Sequence, residues 1–271
     1  MHVIVCVKMV PDTTQVSINP ETNTLVREGV PFITNPYDTN AIEEGIRFKD
    51  RYGAYVTVIS MGPPSAAIVL RKAISIGADE GILLSDRVFG GADTLATSMV
   101  LSAAINKINI TRPVDIILCG KQTIDGDTAQ VGPGIAQRMN ITQLTLVNEV
   151  LSVDEVNKTI KVKRKLEGYQ EIVESTLPTM ITVEREINTP RYPTVPGRFS
   201  ADEALIQTWS NDVLKLNTAE IGLSGSPTQV RRIFAPEREK GEVVMGEGEQ
   251  QPHAIKMIFD KLIEKSFLEL E

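Results

Sequence analysis

The sequence predicts an α/β fold built on a doubly wound, mostly parallel sheet with helices on both faces. Continuous β-branched runs such as HVIVCV at residues 2–7 are typical of strands covered on both sides. Strand-like and helix-like segments alternate through the first 140 residues, as in repeated β–α units. Beyond residue 140 the pattern changes to strands of alternating polarity, which predicts an antiparallel extension followed by a C-terminal arm.

Four strand–helix pairs make up the predicted parallel part. The strands are predicted at residues 2–7, 55–61, 81–84 and 114–119, and the helices at 38–50, 65–76, 94–108 and 128–139. Residues 16–30 predict a hairpin excursion between the first strand and the first helix. Asp38 is the predicted N-cap of that helix, and Glu43 and Glu44 suit its positive end.

The second half predicts strands at 144–153, 159–166 and 172–183, with a hairpin turn near Glu167 and Gly168. Residues 187–196 carry three prolines and are expected to be extended. A short helix is expected at 200–209. Residues 222–251 are rich in Gly, Pro and charge, which predicts an arm over a partner or flexible chain, and 253–267 predict an amphipathic helix.

Composition excludes several classes of function. The 271 residues carry a net charge of −7 with no long basic run, which argues against nucleic acid as a ligand. No apolar run predicts a membrane span or a signal peptide, so a cytoplasmic protein is expected. Two histidines and two cysteines are too few to predict a metal site. The spacing of Cys6 and Cys119 leaves a disulfide open, although buried free thiols are the simpler interpretation.

Motifs for side-chain chemistry are missing from the sequence. It contains no GxSxG elbow, no GxxxxGK[ST] loop and no GxGxxG turn after the first strand, so we expect any chemistry to be carried by a cofactor. Segments 6–8, 35–38, 61–63 and 120–133 all adjoin predicted strand ends. Because ligands of such sheets lie at the carboxyl ends of the strands, these segments predict one site.

The segment GKQTIDGDTAQVGP at 120–133 is the most informative of the four. Gly126 is predicted at its tightest point, Asp127 or Thr128 would cap the next helix, and the N–H groups of residues 128–130 would face a pyrophosphate. Its two acids, Asp125 and Asp127, would accept hydrogen bonds from ribose hydroxyl groups. The alternative is that they only form a turn and cap the helix.

A second glycine-containing junction, SDRVFGGADTLATS at 85–98, follows the same logic. Gly90 and Gly91 free the backbone, and Asp93 or Thr94 would cap the following helix. The junction would bind the remainder of a large cofactor, or it is an ordinary capped helix after a loose loop.

These two junctions, together with NPYD at 35–38 and MGPP at 61–64, resemble the beta subunit of electron transfer flavoproteins. The resemblance covers nearly the whole chain and weakens after about residue 196. It implies an adenine-nucleotide-binding Rossmann-like fold, a partner alpha subunit that carries FAD, and a nucleotide site in this chain. That site holds AMP in simple electron carriers and a second FAD in electron-bifurcating members.

The resemblance implies a set of nucleotide-binding residues: Cys6, Asn35, Pro36, Tyr37, Asp38, Met61, Gly120, Lys121, Gln122, Thr123, Ile124, Asp125, Gly126, Asp127, Thr128, Ala129, Gln130 and Val131. The junction at 85–98 resembles the bifurcating type, which places Gly90, Gly91, Asp93, Thr94 and Thr97 beside the additional flavin. No residue is implied as a catalytic acid or base, and none as a metal ligand.

Bifurcation would proceed from NADH as the substrate. The resemblance implies that the FAD of this chain accepts a hydride, and that one electron then passes to ferredoxin or flavodoxin. The other passes through the alpha-subunit FAD to a flavin-dependent, acyl-CoA dehydrogenase-like partner. Two alternatives stand beside this hypothesis: a non-bifurcating subunit that binds AMP, and an adenine-nucleotide-binding regulatory protein without redox function.

The resemblance also implies a loop that docks the dehydrogenase, matching residues 188–196, with Arg191, Tyr192 and the anchor Val195. A basic stretch follows this loop in relatives, whereas GRFSADE stands at 197–203 here. The expected organisation is therefore a nucleotide-binding domain at 1–196, which includes the hairpin 159–183, and an arm and helix at 197–271 that contact the alpha subunit.

Overall fold

A computed structural model describes residues 1–12, 17–18, 25–26, 31–229, 248 and 251–267. Contacts divide the chain into two compact units, Met1–Arg232 and Ile233–Glu271. The functional division after residue 196, between a nucleotide domain and an arm that contacts the alpha subunit, stays a prediction.

Thirteen strands are assigned among the described residues: β1 (His2–Cys6), β2 (Met9–Pro11), β3 (Ser17–Ile18), β4 (Leu25–Val26), β5 (Phe32–Thr34), β6 (Tyr55–Met61), β7 (Glu80–Leu84), β8 (Ile116–Gly120), β9 (Thr142–Asp154), β10 (Thr159–Leu166), β11 (Tyr169–Thr176), β12 (Thr179–Val183) and β13 (Gln207–Trp209). The α-helices of the same residues are α1 (Pro36–Tyr52), α2 (Ala67–Ser75), α3 (Thr94–Thr111), α4 (Val131–Met139), α5 (Val195–Glu203), α6 (Asn211–Leu214) and α7 (Gln251–Glu264).

Nine of the strands form one sheet in the order β11-β10-β9-β12-β8-β1-β6-β7-β13. All neighbours from β9 to β13 in this order pair in parallel, whereas β10 and β11 extend the sheet antiparallel. This arrangement confirms the predicted α/β fold with a mostly parallel sheet and an antiparallel extension.

The central strand β1 shows why the sheet is covered on both faces. All five of its residues are buried. Val3 and Val5 belong to the apolar core formed with α1 and α2, whereas Ile4 and Cys6 belong to the core formed with α3 and α4. Alternate side chains therefore enter two separate cores, which explains the uninterrupted apolar run in the sequence.

The start of α1 differs from the prediction. The helix begins at Pro36, with Asn35 at the N-cap position and no side-chain capping bond, so Asp38 is not the cap. Proline suits the first helical position because its missing N–H has no partner there. Asp38 lies in the first turn and is buried, as are Glu43 and Glu44 further along.

The start of α4 also differs. The helix begins at Val131, and the N-cap position is Gln130, which makes no capping bond, so neither Asp127 nor Thr128 caps it. Asp127 and Ala129 have φ angles of 52° and 54°, in the left-handed region. Two such residues interrupt any helical path, so the loop stays irregular until residue 130. By contrast, Asp93 caps α3 as predicted, its carboxylate accepting the N–H of Ala96 at 3.0 Å.

Two predictions in the second half are wrong. The predicted strand at 172–183 is two strands, β11 and β12, which are separated at Leu177–Pro178, and β12 inserts between β8 and β9. Proline has no N–H to donate to a neighbouring strand, which favours the break. The predicted helix at 200–209 is also displaced: α5 begins earlier, at Val195, and Gln207–Trp209 forms strand β13 beside β7.

Parts of the predicted excursion and arm lie outside the described residues. Within 16–30, β3 and β4 pair antiparallel, which agrees with a hairpin. Most of 230–250 is not described. The second unit contains α7, which exposes the apolar side chains of Ile255, Ile258, Phe259 and Leu262. In the part of the chain that the structure describes, no helix combines the length and apolar character needed to cross a membrane.

Candidate functional site

A cavity of about 840 Å³ lies where the carboxyl ends of β8, β1, β6 and β7 meet the following loops. These four strands are consecutive in the sheet, so the cavity crosses three interstrand spacings, or roughly 14 Å. Its position agrees with the general rule for ligand sites in open α/β sheets.

Most of the predicted site residues line this cavity. They are Cys6, Asp38, Met61, Gly90, Gly91, Thr97, Gly120, Lys121, Gln122, Thr123, Thr128, Ala129, Gln130 and Val131. The other predicted residues are not among the lining residues: Asn35, Pro36, Tyr37, Asp93, Thr94, Ile124, Asp125, Gly126 and Asp127. The contacts described below show that several of these hold the wall of the cavity from behind.

Thirteen further lining residues were not named individually as binding residues. Ten of them lie in segments that the sequence predicts to form the site or to bind the rest of the cofactor: Val7, Lys8, Gly62, Pro63, Ser85, Asp86, Arg87, Phe89, Ala92 and Gly132. Pro64, Leu101 and Cys119 lie outside those segments. Most of the thirteen directly follow β1, β6 or β7, or sit at the end of β8. The rule that parallel strands end at one edge was a sufficient signal for these. Leu101 lies two turns inside α3, and nothing in its local sequence marks it.

Asp38 ties three elements together beneath the cavity. Its Oδ2 accepts the backbone N–H of Lys8 at 2.8 Å, and its Oδ1 accepts the backbone N–H of Gly120 at 3.0 Å. The side chain therefore joins α1 to the ends of β1 and β8. Burial raises the pKa of Asp38 to about 7, although the two N–H donors oppose the shift.

Asn35 holds the loop that follows β8. Its Nδ2 donates to the carbonyl of Gln122 at 2.9 Å, and its Oδ1 accepts the N–H of Ile124 at 3.2 Å. The residue is fully buried. A buried amide that satisfies a donor and an acceptor of one loop fixes the path of that loop. Asn35 thus shapes the cavity wall without lining it.

The two acids of the loop have internal partners. Asp125 pairs with Lys8, whose Nζ lies 2.6 Å from Oδ2. Burial alone raises the pKa of Asp125, but hydrogen bonds and the Lys8 ammonium outweigh it and hold the pKa below its ordinary value. Asp127 accepts a hydrogen bond from Gln122 Nε2 at 2.8 Å. The acids thus brace the loop from within.

Backbone packing at the cavity is closest at Gly120 and Gly132. A Cβ at residue 120 would lie 2.5 Å from Tyr37 Cβ and 2.6 Å from Asp38 Oδ1, and one at residue 132 would lie 2.6 Å from Thr182 Cγ2. At Gly126 a Cβ would meet only Thr123 Oγ1 at 3.6 Å, which is ordinary contact. The prediction that Gly126 occupies the tightest point is therefore wrong.

The second glycine-containing junction is fastened to the first and to a distant turn. Thr94 Oγ1 donates to Gln130 Oε1 at 2.7 Å, which links the start of α3 to the start of α4. Asp93 Oδ2 accepts the N–H of Thr228 at 3.1 Å, and Ser226 Oγ accepts the Asp93 N–H at 2.8 Å. Both junctions thus belong to one connected wall.

The cavity offers binding groups and no nucleophile. Burial raises the pKa values of the Cys6 and Cys119 thiols, so both stay protonated, and neither forms a disulfide. Lys121 pairs with Glu184 at 2.9 Å. In the described ranges, no group of three or more His, Cys, Asp or Glu side chains is placed to hold a metal ion. Apolar walls, backbone N–H groups and a few charges suit an extended organic ligand that carries phosphate.

The predicted docking loop lies on another part of the same unit. Arg191, although partly exposed, pairs with two carboxylates of α1: its Nε lies 2.9 Å from Glu43 Oε2, and its Nη2 lies 2.7 Å from Asp50 Oδ2. These carboxylates raise the pKa of Arg191, chiefly because Glu43 accepts hydrogen bonds from its guanidinium. The guanidinium therefore braces the loop, and the large apolar side chains exposed in this segment are Tyr192 and Val195, whose exposed fractions are 90% and 70%.

Helix α1 holds the beginning of this loop as well. Asn40 Nδ2 donates to the carbonyls of Arg185 and Asn188, both at 3.0 Å, and Asn188 Nδ2 donates to Glu44 Oε2 at 3.0 Å. The same helix supplies Asp38 and, at its N-cap, Asn35. One rigid element thus positions both the cavity loop and the docking loop.

Comparison with known proteins places the chain in a family. Residues 22–214 match the family described as "Electron transfer flavoprotein domain". Protein FixA of Azotobacter vinelandii is 50% identical over 237 residues, which cover 87% of this chain and 84% of that protein. The electron transfer flavoprotein subunit beta of Clostridium acetobutylicum is 48% identical, with 90% and 92% covered. The caffeyl-CoA reductase-Etf complex subunit CarD of Acetobacterium woodii is 46% identical, with 91% and 92% covered.

Proposed function

The chain belongs to the beta-subunit family of electron transfer flavoproteins, and on that premise we propose that its cavity binds FAD and that the protein bifurcates electrons from NADH. The FAD is held at the carboxyl ends of four parallel strands. Its partners are an alpha subunit that carries a second FAD, ferredoxin or flavodoxin, and a flavin-dependent dehydrogenase.

The size and span of the cavity carry this proposal. Its volume of about 840 Å³ lies toward the upper end of the range of roughly 300–1,000 Å³ that is usual for small-molecule sites. It reaches from the loop after β8 to the junction after β7, and both ends contribute glycines to the lining. A mononucleotide needs only one of these ends, whereas a dinucleotide occupies both.

The residues of the cavity fit such a ligand. Gly120 and Gly132 pack too closely against their neighbours to carry a side chain, so the backbone itself forms the wall there. The loop at 128–130 enters α4, whose free N–H groups and positive end favour the pyrophosphate. The Asp38 and Asn35 bonds fix this wall before the ligand arrives, which reduces the entropy lost on binding.

The protein contributes position and electrostatics. When bound, the flavin would supply the redox chemistry, accepting a hydride from NADH and releasing the electrons one at a time. The chain excludes water from the cavity floor with Cys6, Cys119 and Leu101, and it holds charge in the Lys8–Asp125 and Lys121–Glu184 pairs. No side chain needs to act as an acid or a base.

Docking of the dehydrogenase would use the loop at 188–196. Tyr192 follows Arg191, whose backbone N–H is bonded to Glu43 of α1, and Val195 begins helix α5, so few degrees of freedom are lost on contact. The name of the CarD relative, which belongs to a caffeyl-CoA reductase complex, supports a dehydrogenase-type partner.

A flavin count tests the proposal. The chain is co-expressed with its alpha subunit, and the purified heterodimer is denatured so that the released nucleotides can be quantified by chromatography. Two FAD per heterodimer, with bleaching of flavin absorbance on addition of NADH, is the expected result. One FAD and one AMP would show a simple electron carrier instead, and nucleotide without any NADH-dependent bleaching would favour a regulatory protein.

A further inference from the structure

Arg87 is a cation of the cavity wall that has no partner of its own among the described residues. Two other cations that line the cavity, Lys8 and Lys121, are paired with Asp125 and Glu184. The Arg87 side chain makes no hydrogen bond or ion pair with any residue in the described ranges. No described residue therefore competes with an anion from solution for its guanidinium.

The backbone that carries Arg87 is firmly held. Residues Arg87–Phe89 form a short 3₁₀ turn, in which Asp86 Oδ1 accepts the N–H of Val88 at 3.2 Å and Phe89 is buried. The other carboxylate oxygen of Asp86 accepts the N–H of Asn211 at 2.9 Å. Both oxygens of this neighbouring acid are thus engaged by backbone donors, and the turn presents Arg87 from a fixed position.

The position of Arg87 separates it from the phosphate end of the proposed flavin site. Arg87 follows β7, whereas the loop that enters α4 follows β8, and these strands are three spacings apart, or roughly 14 Å. FAD has a single pyrophosphate, which the α4 end already receives. The Arg87 guanidinium lies at the opposite, solvent-exposed end of the cavity and would therefore bind the phosphate of a second molecule.

We infer that Arg87 binds the pyrophosphate of the nicotinamide substrate and so positions NADH beside the flavin. This inference rests on the proposed function, because it requires a flavin that NADH reduces. A guanidinium suits the task because it forms two parallel hydrogen bonds to phosphate oxygens, which fixes orientation as well as affinity.

The test compares Arg87→Ala, Arg87→Lys and the control Arg51→Ala in the intact heterodimer. Arg51 is an exposed arginine in the last turn of α1, outside the cavity, and its removal changes the net charge equally. The dissociation constant of NAD⁺ is measured by calorimetry, and the KM for NADH is measured by flavin bleaching. The FAD content is determined from the nucleotide released on denaturation. In Arg87→Ala we expect the NAD⁺ dissociation constant and the KM to rise by about ten- to a hundredfold, because charged hydrogen bonds are lost.

The remaining expectations separate this inference from its alternatives. Because the Arg87 side chain lies at the exposed end of the cavity, we expect its loss to weaken NAD⁺ binding far more than it lowers FAD content or the limiting bleaching rate. Arg87→Lys should fall between Ala and wild type, since lysine keeps the charge without the paired geometry. Loss of FAD in Arg87→Ala would assign the residue to the resident flavin and overturn the inference. Unchanged NAD⁺ binding, or an equal effect of Arg51→Ala, would also overturn it. If the wild-type heterodimer is not bleached by NADH at all, it is the proposed function that fails.

Discussion

The carboxylate of Asp38, in the first turn of α1, accepts the backbone N–H of Gly120, the last residue of β8, at 3.0 Å. Its second oxygen accepts the N–H of Lys8, which follows β1. One buried acid thereby sets the relative positions of a helix start and two strand ends. Because burial raises the pKa of Asp38 to about 7, the charge of this carboxyl group changes within the physiological pH range.

The first prediction concerns the pH dependence of stability. Folding raises the pKa of Asp38 from its ordinary 3.8 to about 7, so the native state holds a proton that the unfolded chain has lost. This proton stabilises the native state fully when the pH is below 3.8, the pKa of Asp38 in the unfolded chain. The stabilisation disappears as the pH rises through about 7, the pKa in the native state. Wild type should therefore lose stability relative to Asp38→Asn between about pH 4 and pH 7, by at most about 1.4 kcal/mol per pH unit.

Urea denaturation of the purified heterodimer at several pH values measures this difference. At the acidic end of this range Asp38→Asn is the less stable protein, because one backbone N–H faces an amide N–H in place of an oxygen. The informative quantity is the gap between the two proteins, which should narrow as the pH rises. A gap that widens toward alkaline pH would show that Asp38 is ionised throughout.

The sequence predicted the sheet better than it predicted the loops, for a physical reason. Strands such as β1 are buried on both faces, so their apolar runs carry an unmistakable signal. Strand β13, Gln207–Trp209, is a short edge strand with one intermediate and two exposed residues, and its pairing with β7 leaves almost no trace in its composition. It was therefore mistaken for a helix.

The candidate site was predicted by position rather than by contact. The rule on strand ends located Cys6, Met61 and Gly120, all of which line the cavity. It could not show that Asp38 bridges two strands, because its partners lie 30 and 82 residues away in sequence. A polar residue before a helical pattern predicts an N-cap. Only the fold shows that Asp38 instead bonds the ends of two strands.

The second prediction tests the close approach at Gly120. In Gly120→Ala the new methyl group would lie 2.5 Å from Tyr37 Cβ and 2.6 Å from Asp38 Oδ1, so it must displace the start of α1 and the Asp38 carboxyl group. We expect a loss of stability of about 1–3 kcal/mol and a heterodimer that retains little or no nucleotide in this subunit. Flavin released per heterodimer and the thermal midpoint of unfolding provide the measurements.

Gly126→Ala is the matched control for that substitution. It lies in the same loop, has an ordinary φ angle, and its Cβ would meet Thr123 Oγ1 at 3.6 Å. Nucleotide content and thermal midpoint should stay close to those of the wild type. Equal nucleotide loss in both variants would mean that the loop tolerates an added methyl group at neither glycine, which contradicts a role specific to Gly120.

The third prediction concerns how the docking loop is held. Glu43 is buried and accepts both the backbone N–H of Arg191, at 3.0 Å, and its guanidinium. In Glu43→Gln the charged hydrogen bonds are lost, so amide hydrogen exchange at residues 188–192 should accelerate by about tenfold or more. Mass spectrometry of peptides from the exchanged heterodimer would detect the change.

Asp50→Asn removes the other carboxylate that contacts Arg191. That carboxylate is half exposed, and ion pairs at such positions contribute only about 0–1 kcal/mol. Exchange at residues 188–192 should therefore change little. If the two variants accelerate exchange equally, the buried position of Glu43 is not what fixes the loop.

The last prediction concerns the exposed apolar groups that this loop presents. Tyr192, in the loop next to the bonded Arg191, and Val195, at the start of α5, are both mostly exposed. Aromatic and apolar anchors of this kind carry a large part of binding energy at interfaces, so alanine at either residue should weaken dehydrogenase docking by about 1–3 kcal/mol. The KM for the dehydrogenase as electron acceptor should rise accordingly, while NADH-dependent bleaching of the flavin stays unchanged, because the cavity lies elsewhere.

Val156→Ala provides the comparison, since Val156 is equally exposed but lies in the turn between β9 and β10. A rise in KM for Tyr192→Ala and Val195→Ala, but not for Val156→Ala, would locate the docking surface on the loop. Equal KM values in all three variants would move that surface to another part of the chain. A fall in the bleaching rate would show instead that the substitutions disturb the cavity through α1, the helix that holds both loops.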